Sequence, residues 1–431
     1  MADRIALSLV SHTNVGKTTL ARTLLGRDVG EVRDAPHVTE FAEPHALLQA
    51  ASGETLTLWD TPGFGDSVRL VKRLRQQGNP IGWFLSEVWD RWRDRAFWAS
   101  QQVIRHVREH SDVVLYLVNA GESPEAAGYV APEMDLLDWV GKPVLVLLNQ
   151  LGPPHAAGAD ADDLRRWREH LQRWPLVHEV LPLDAFARCW VQEGALWQAV
   201  QAALPAGRRP AMGALHAAWA RQRQQVFDDA VQLLAASVAR VAALRVALDD
   251  GGSVMGTLRQ LGSALGLGAD RPAAIDVAER RLAELIDGET RRSTEALIRL
   301  HGLDGQAGGV VLERLGALIE WRRKVGEGSA AVLGGLLSGA ATGLATDVAA
   351  GGLTLGGGLI AGSVLGALGA AGLARGLNVV RATDRGWVGL TPAALQAVLR
   401  AALLRYLAVA HFGRGRGQWR DGEAPPHWAE A

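Results

Sequence analysis

The sequence predicts an α/β domain, with a mostly parallel sheet and helices on both faces, followed by an all-α domain that carries an apolar helical hairpin. Three observations predict it. A short apolar run from Ile5 leads into a tight loop and then a helix opening with Leu20. Two further runs, Val113 to Asn119 and Val144 to Asn149, are continuously apolar, as parallel strands covered on both faces should be. Finally, charge all but vanishes between Gly328 and Ala374. At 431 residues the chain exceeds one typical core. The expected segments are 1–205 for the α/β domain, 206–325 for a helical bundle or stalk, 326–376 for the hairpin and 377–431 for a C-terminal helix and a Gly/Arg tail.

Composition narrows the class. With 45 basic and 46 acidic residues there is no electrostatic case for nucleic acid as the main partner, which would show as a basic domain or stripe. The single cysteine, Cys189, excludes an internal disulfide framework, fits a reducing compartment and reads as a small buried hydrophobe. The N-terminus, MADRIALS, runs straight into the first strand without a basic segment and an apolar h-region, so a cytoplasmic location is expected.

The first element reads IALSLVSHTNVGKTTLAR from Ile5 to Arg22. A strand, a tight loop and a helix in this order point successive backbone N–H groups, here from Asn14, Val15, Gly16, Lys17, Thr18 and Thr19, at one place and favour an anion there. Lys17 would reach the β- and γ-phosphates, and the Thr18 hydroxyl would ligate Mg²⁺. The pattern GxxxxGK[ST] is met except at its first glycine, where this chain has Ser11. The chain's lysines are Lys17, Lys72, Lys142 and Lys324, every other cation being arginine, so a lysine at this point is not casual.

Gly26 to His45 is polar and loop-like and contains Pro36-His37-Val38-Thr39. Two strands follow, His45 to Ala50 and Leu56 to Trp59, joined by a hairpin around Ser52-Gly53. The second runs into Asp60-Thr61-Pro62-Gly63. An aspartate at the end of a strand beside the phosphate-loop strand can hold Mg²⁺ through a water, and the Gly63 N–H can sense the γ-phosphate. The two motifs in this order predict an α/β P-loop NTPase.

At these residues, and over roughly 4–204, the chain resembles the translation-factor-related GTPases, in particular the Era and TrmE group. The resemblance implies GTP and GDP as ligands, with Mg²⁺ as cofactor and Lys17, Thr39 and Gly63 as the catalytic set. Thr39 resembles the switch I threonine that closes on Mg²⁺. Asn14 matches the loop asparagine that holds K⁺ in part of the group. Phe64 stands where Ras-like proteins carry the water-positioning glutamine. Asn149-Gln150-Leu151-Gly152 stands where the group's guanine-reading motif is Asn-Lys-x-Asp, and Gly152 brings no carboxylate for the guanine N1–H and 2-amino group. Asp184-Ala185-Phe186, after an expected sixth strand from His178 to Leu183, lies about where the group has a Ser-Ala loop against the base. A helix from Glu193 to Ala203 closes the domain.

Between Gly65 and Ser111, the segment 66–110 is longer than a usual switch II helix. Leu85, Val88, Trp89, Trp92, Ala96, Ala99, Val103 and Val107 recur at three- and four-residue spacing and give one apolar helix face. That face either packs on the protein's own second half or meets a protein partner. Because it follows the γ-phosphate sensor, it is the natural lever for passing nucleotide state onward.

In the second half, Leu215, Trp219, Val226, Leu233, Val241, Leu244 and Leu248 trace a long amphipathic helix from Met212 to Leu248. Helices from Pro272 to Leu300 and Val310 to Arg323 should follow. Gly328 to Thr346 and Val348 to Ala374 are 19 and 27 residues without a charge, interrupted by Asp347. Each is long enough to cross a hydrocarbon core of ~30 Å. Glycines four apart, at 335, 339 and 343 and at 358, 362 and 366, permit close backbone contact. Arg322, Arg323 and Lys324 before the pair, with Arg375 and Arg381 after it, would keep both ends on the cytoplasmic side of the inner membrane. The alternative is a buried soluble hairpin, because the five Leu/Val residues of the first run supply only about −1.5 to −3 kcal/mol of insertion free energy. Thr391-Pro392 then opens a helix to Ala410, before the tail HFGRGRGQW.

Two functional readings follow. One is a GTP-binding, slowly hydrolysing switch coupled to a membrane-associated helical half, the combination resembling bacterial GTPases with a helical C-terminal half. The other is a soluble Era-like assembly factor acting on RNA or a protein partner. A nucleotide-dependent dimer is compatible with either.

Overall fold

The apolar runs form strands, and their alternation explains why the runs are continuous. In the computed structural model, which describes residues 3–13, 15–26, 42–75, 82, 84–85, 95–149, 159–183, 185, 189–247, 273–303, 377–380 and 387–411, the chain divides into two units, Met1–Gln225 with His411–Ala431, and Val226–Ala410. The first unit is built on β1 (Arg4–Ser11), β2 (Glu43–Gln49), β3 (Thr55–Asp60), β4 (Val113–Asn119), β5 (Val144–Asn149) and β6 (Val177–Pro182). They form one sheet in the order β2-β3-β1-β4-β5-β6, parallel throughout except that β2 runs antiparallel to β3 at the edge.

On β4, Val113, Leu115 and Leu117 enter one core while Val114, Tyr116 and Val118 enter the other. Period-two alternation with an apolar layer on each side leaves no polar positions in the strand. One layer is covered by α1 (Lys17–Leu25), α6 (Trp190–Ala203) and the start of α7 (Arg209–Ala243), through Leu20, Leu196, Trp197, Met212, Leu215 and Trp219. The other is covered by α2 (Ser67–Leu74), α3 (Arg95–His110), α4 (Val130–Val140) and α5 (Ala159–Leu171).

Within 66–110 the described residues include α2, which Asp66 caps by accepting from the Arg69 N–H at 3.1 Å and which ends at Leu74, and α3 from Arg95 to His110. Ala99, Val103 and Val107 are buried as the spacing predicts, and Val103 and Val107 share the core of the first unit with Phe97 and Ile104. Val88, Trp89 and Trp92 lie outside the described residues. Cys189 is half-buried at the entrance to α6, not a core residue as expected.

The second unit contains the remainder of α7, α8 (Ala273–Leu300) and α9 (Pro392–Ala410), with Thr391 capping α9 by accepting from the Ala394 N–H at 3.2 Å. It also contains a small antiparallel sheet that the all-α expectation lacks: β7 (Arg245–Ala247), β8 (Leu377–Val380) and β9 (Trp387–Leu390), in the order β7-β9-β8. The helix expected to reach Leu248 therefore stops at Ala243. Arg245 ends it by donating from Nη1 to the Ala242 and Leu244 carbonyls at 2.8 and 2.7 Å, and its guanidinium lies over the Trp387 ring at 4.4 Å. Val241, Ala278, Leu282, Ile286, Val388 and Val398 form this unit's core. The expected helix 310–323, the hairpin 328–374 and the tail beyond residue 411 lie outside the described residues. Among the described residues, no helix is long and apolar enough to cross a membrane.

Candidate functional site

The phosphate loop joins β1 to α1. Gly16 sits at φ 93°, ψ 32°, a left-handed conformation that glycine adopts without a side-chain clash, and its carbonyl accepts the first helical bond, from the Leu20 N–H at 3.0 Å. No side-chain hydrogen bond caps α1 and no acidic residue stands in its first turn, so the positive end of the helix faces the loop.

Lys17 is buried, with Nζ 3.1 Å from Ser11 Oγ, and Ser11 Oγ in turn donates to the His12 carbonyl at 2.5 Å. The serine at the first glycine position thus lies under the lysine. Burial lowers the Lys17 pKa, opposed by the charges of Asp60 and then Glu133. Thr18 Oγ1 donates to Asp60 Oδ2 at 2.5 Å. The other oxygen, Asp60 Oδ1, is buried without a hydrogen-bond partner, and burial raises the carboxyl's pKa against the Thr18 bond and the Lys17 charge. A hydroxyl and a carboxylate side by side, with one buried oxygen unsatisfied, are the hard oxygen donors that Mg²⁺ takes. The residues fit the ion.

The loop after β3 is fastened to the phosphate loop. Thr61 Oγ1 donates to the Leu9 carbonyl at 2.5 Å, the Phe64 N–H donates to the Ser11 carbonyl at 2.9 Å, and His12 and Phe64 form a parallel bridge. A Cβ on Gly63 would stand 3.0 Å from both Cα and Cγ2 of Thr13, a close approach that glycine makes without displacing its neighbour. The Phe64 ring is fully buried in the core cluster on the α3 side of the sheet. It offers nothing to orient a water.

On the other side of the loop, Asn149 is fully buried. Its Nδ2 donates to the Val15 carbonyl at 2.8 Å and its Oδ1 accepts from the Ala185 N–H at 2.9 Å. Thr23 Oγ1 donates to the Ala185 carbonyl at 2.5 Å. These bonds knit the phosphate loop, α1 and the loop after β6 together. Val15, Thr19 and Ala185 are buried beside these contacts. The structure therefore brings together Val15, Gly16, Lys17, Thr18, Thr19, Asp60, Gly63, Asn149 and Ala185, while Asn14, Thr39, Gln150, Gly152 and Asp184 lie outside the described residues.

Sequence reasoning missed Glu133. It is buried under the loop, with Oε1 2.7 Å from His12 Nδ1 and Oε2 accepting from Tyr116 Oη at 2.6 Å. The one signal was a histidine inside the phosphate loop, whose partner is 121 positions away.

A family profile described as 50S ribosome-binding GTPase matches residues 6–150, and one described as Domain of unknown function (DUF3482) matches residues 168–430. Among curated proteins, the chain is 28% identical over 155 residues to GTPase Der of Deinococcus deserti, covering 34% of this chain and 27% of that protein. It is 28% identical over 205 residues to GTPase Der of Symbiobacterium thermophilum, covering 46% and 34%. The chain thus spans about a third or less of the length of the curated relatives it matches. Among solved structures, it is similar to Era in complex with MgGDPNP and a 16S ribosomal RNA segment, at 18% identity and TM-score 0.35, covering 48% of this chain and 58% of that one. Aquifex aeolicus Era bound to GDP·AlF4⁻ matches at 20% identity and TM-score 0.33, covering 47% and 57%.

Proposed function

The chain belongs to the family described as Domain of unknown function (DUF3482), and we propose that it is a Mg²⁺-dependent molecular switch that binds GTP and hydrolyses it slowly. Residues 6–150 are a P-loop GTPase domain of the Era-like kind. The observation that carries the proposal is the corner where Thr18 Oγ1 meets Asp60 beside the buried Lys17, with Asp60 Oδ1 left unsatisfied. Lys17 neutralises the β- and γ-phosphates, and the N–H groups of Val15 to Thr19 cradle them. Thr18, Asp60 and Thr39 hold Mg²⁺, which when bound supplies charge neutralisation on the triphosphate. The Gly63 N–H meets the γ-phosphate. Asn149 and Ala185 support the base side, with Gln150 and Asp184 contacting guanosine.

Hydrolysis joins water to the γ-phosphorus and breaks its bond to the bridging oxygen, the proton passing to phosphate. With Phe64 in the core, no side chain at that position orients the water, and Asn14 with K⁺ is our proposed source of the missing positive charge. The test is competition of ATP against labelled GTP, then hydrolysis rates in K⁺ and in Na⁺. GTP should outcompete ATP, Lys17→Ala should abolish binding, and K⁺ should accelerate turnover. ATP binding as tightly as GTP ends the guanine claim; equal rates in the two salts end the potassium claim.

Coupling to the inner membrane through 328–374 is a further part of this proposal and rests on the uncharged runs and their basic flanks. Carbonate extraction of membranes is its test. Release of the full chain as a monodisperse protein without detergent refutes it.

A further inference from the structure

Glu133, on α4, has both carboxylate oxygens occupied beneath the phosphate loop, by His12 Nδ1 at 2.7 Å and Tyr116 Oη at 2.6 Å. Its side chain is 0% exposed, whereas that of His12 is 33% exposed. A carboxylate taken wholly out of water is costly unless it is paired and hydrogen-bonded, so a glutamate here needs the groups around it. Two groups that face it belong to the loop and its helix: His12 by direct contact, and Lys17, whose charge acts on Glu133 as Glu133 acts on it.

His12 is fixed on three sides. Its ring stacks on Tyr129 with centroids 4.6 Å apart and planes 21° from parallel, its Nδ1 meets Glu133, and its backbone bridges to Phe64, the residue after Gly63. Its carbonyl accepts from Ser11 Oγ, the same hydroxyl that lies 3.1 Å from Lys17 Nζ. The side chain of His12 thus anchors to α4 the stretch of backbone that lies next to the phosphate site on one side and to the γ-phosphate sensor on the other.

We propose that Glu133 is a positioning residue for the nucleotide: acting through His12, it holds the loop backbone from Ser11 to Thr13 in the conformation that receives the phosphates. This rests on the GTPase reading above. Phosphate recognition by backbone N–H groups depends on their convergence, and displacement of such groups by about 1 Å is enough to cost about 100-fold in a positioned reaction. Glu133 touches no nucleotide atom in this scheme. Its loss should therefore weaken binding of GDP and GTP alike, raising KM while leaving kcat at saturating GTP little changed.

The experiment is a double-mutant cycle on GDP and GTP affinity in the full chain. Glu133→Met removes both hydrogen bonds at similar volume. His12→Phe keeps the stack on Tyr129 and removes the bond. Glu133→Gln keeps the volume and the hydrogen-bonding capacity. Glu133→Met and His12→Phe should each weaken both nucleotides by about tenfold, the size of one hydrogen bond to a charged group. The double variant should lose about the same tenfold and not 100-fold, because both act on one contact. Glu133→Gln should stay within about threefold of the native protein.

Should Glu133→Met fail to fold, as circular dichroism would show, the ratio of His12→Phe to Glu133→Gln carries the comparison. Native affinity in His12→Phe, independent and multiplicative losses in the double variant, or a loss in His12→Phe with none in Glu133→Met each overturn the proposal. Absence of nucleotide binding by the native chain overturns the GTPase reading as well, whereas native-like variants overturn this inference alone.

Discussion

Replacing Asn149 by alanine separates two roles for a residue that the sequence placed against the base. The Asn149 amide is fully buried and both its ends are taken by backbone, with Nδ2 donating to the Val15 carbonyl at 2.8 Å and Oδ1 accepting from the Ala185 N–H at 2.9 Å. Alanine removes two hydrogen bonds that contribute about 1 kcal/mol each. It also leaves a buried carbonyl and a buried N–H unsatisfied, at about 1–3 kcal/mol apiece when water cannot reach them. Partial solvation of the opened space brings the net loss to roughly 2–4 kcal/mol, or a melting temperature lower by roughly 5–15 °C for a unit of this size. Asn149→Asp should be no milder, since it keeps the acceptor for Ala185 but turns an acceptor toward the Val15 carbonyl and buries a charge. Urea unfolding followed by tryptophan fluorescence, without nucleotide, is the assay. A residue whose work is to read the base would leave the nucleotide-free protein unchanged. A loss below about 0.5 kcal/mol for Asn149→Ala refutes the bracing argument.

Four further outcomes follow from positions on the same chain. Gly65→Ala would place a Cβ 2.5 Å from Ala96 Cα, pushing α3 from the loop that follows β3, and should destabilise by about 1–3 kcal/mol. Gly288→Ala, in α8 with nothing within 4 Å, should stabilise by about 0.5–1 kcal/mol, both read as shifts of the urea midpoint. His106 Nε2 lies 3.0 Å from Ser8 Oγ, and burial, followed by the neighbouring His110, lowers its pKa from 6.5 to about 4. The folded state binds this proton less well than the unfolded chain, so its contribution to stability is complete above about pH 6.5 and is lost as pH falls toward 4. The drop in urea midpoint between pH 7 and pH 4 should be smaller in His106→Leu than in the native protein. Asp60→Asn relieves a buried carboxyl whose pKa is raised mainly by burial. It should stabilise the nucleotide-free protein at neutral pH while abolishing the Mg²⁺ dependence of GTP affinity, measured by titration with and without chelator.

The sequence alone determined what depends on chain neighbours. The β4 and β5 runs are apolar because both faces of a parallel strand are covered, and that is visible without knowing what covers them. Gly16, Lys17 and Thr18 are adjacent by covalent connection, so the loop and the start of α1 are legible without knowing their partners. Thr391 and Pro392 announce the start of α9 by local capping chemistry.

Tertiary structure decided the rest, where the identity of a residue says nothing about who stands opposite. Glu133 is buried because α4 lays it under a loop 121 positions earlier, a neighbour that nothing in the chain around it names. Asn149 keeps its place at the end of β5, but only the convergence of three loops turns its amide to the backbone. Arg245–Ala247 continues a helical pattern in the sequence and becomes a strand because Trp387–Gly389 supplies the missing hydrogen bonds, and three residues are too short a run for any periodicity to signal. Spacing along the chain reports the period of an element and the chemistry of its ends, whereas the partners of a buried polar group are set by crossovers that the spacing does not encode.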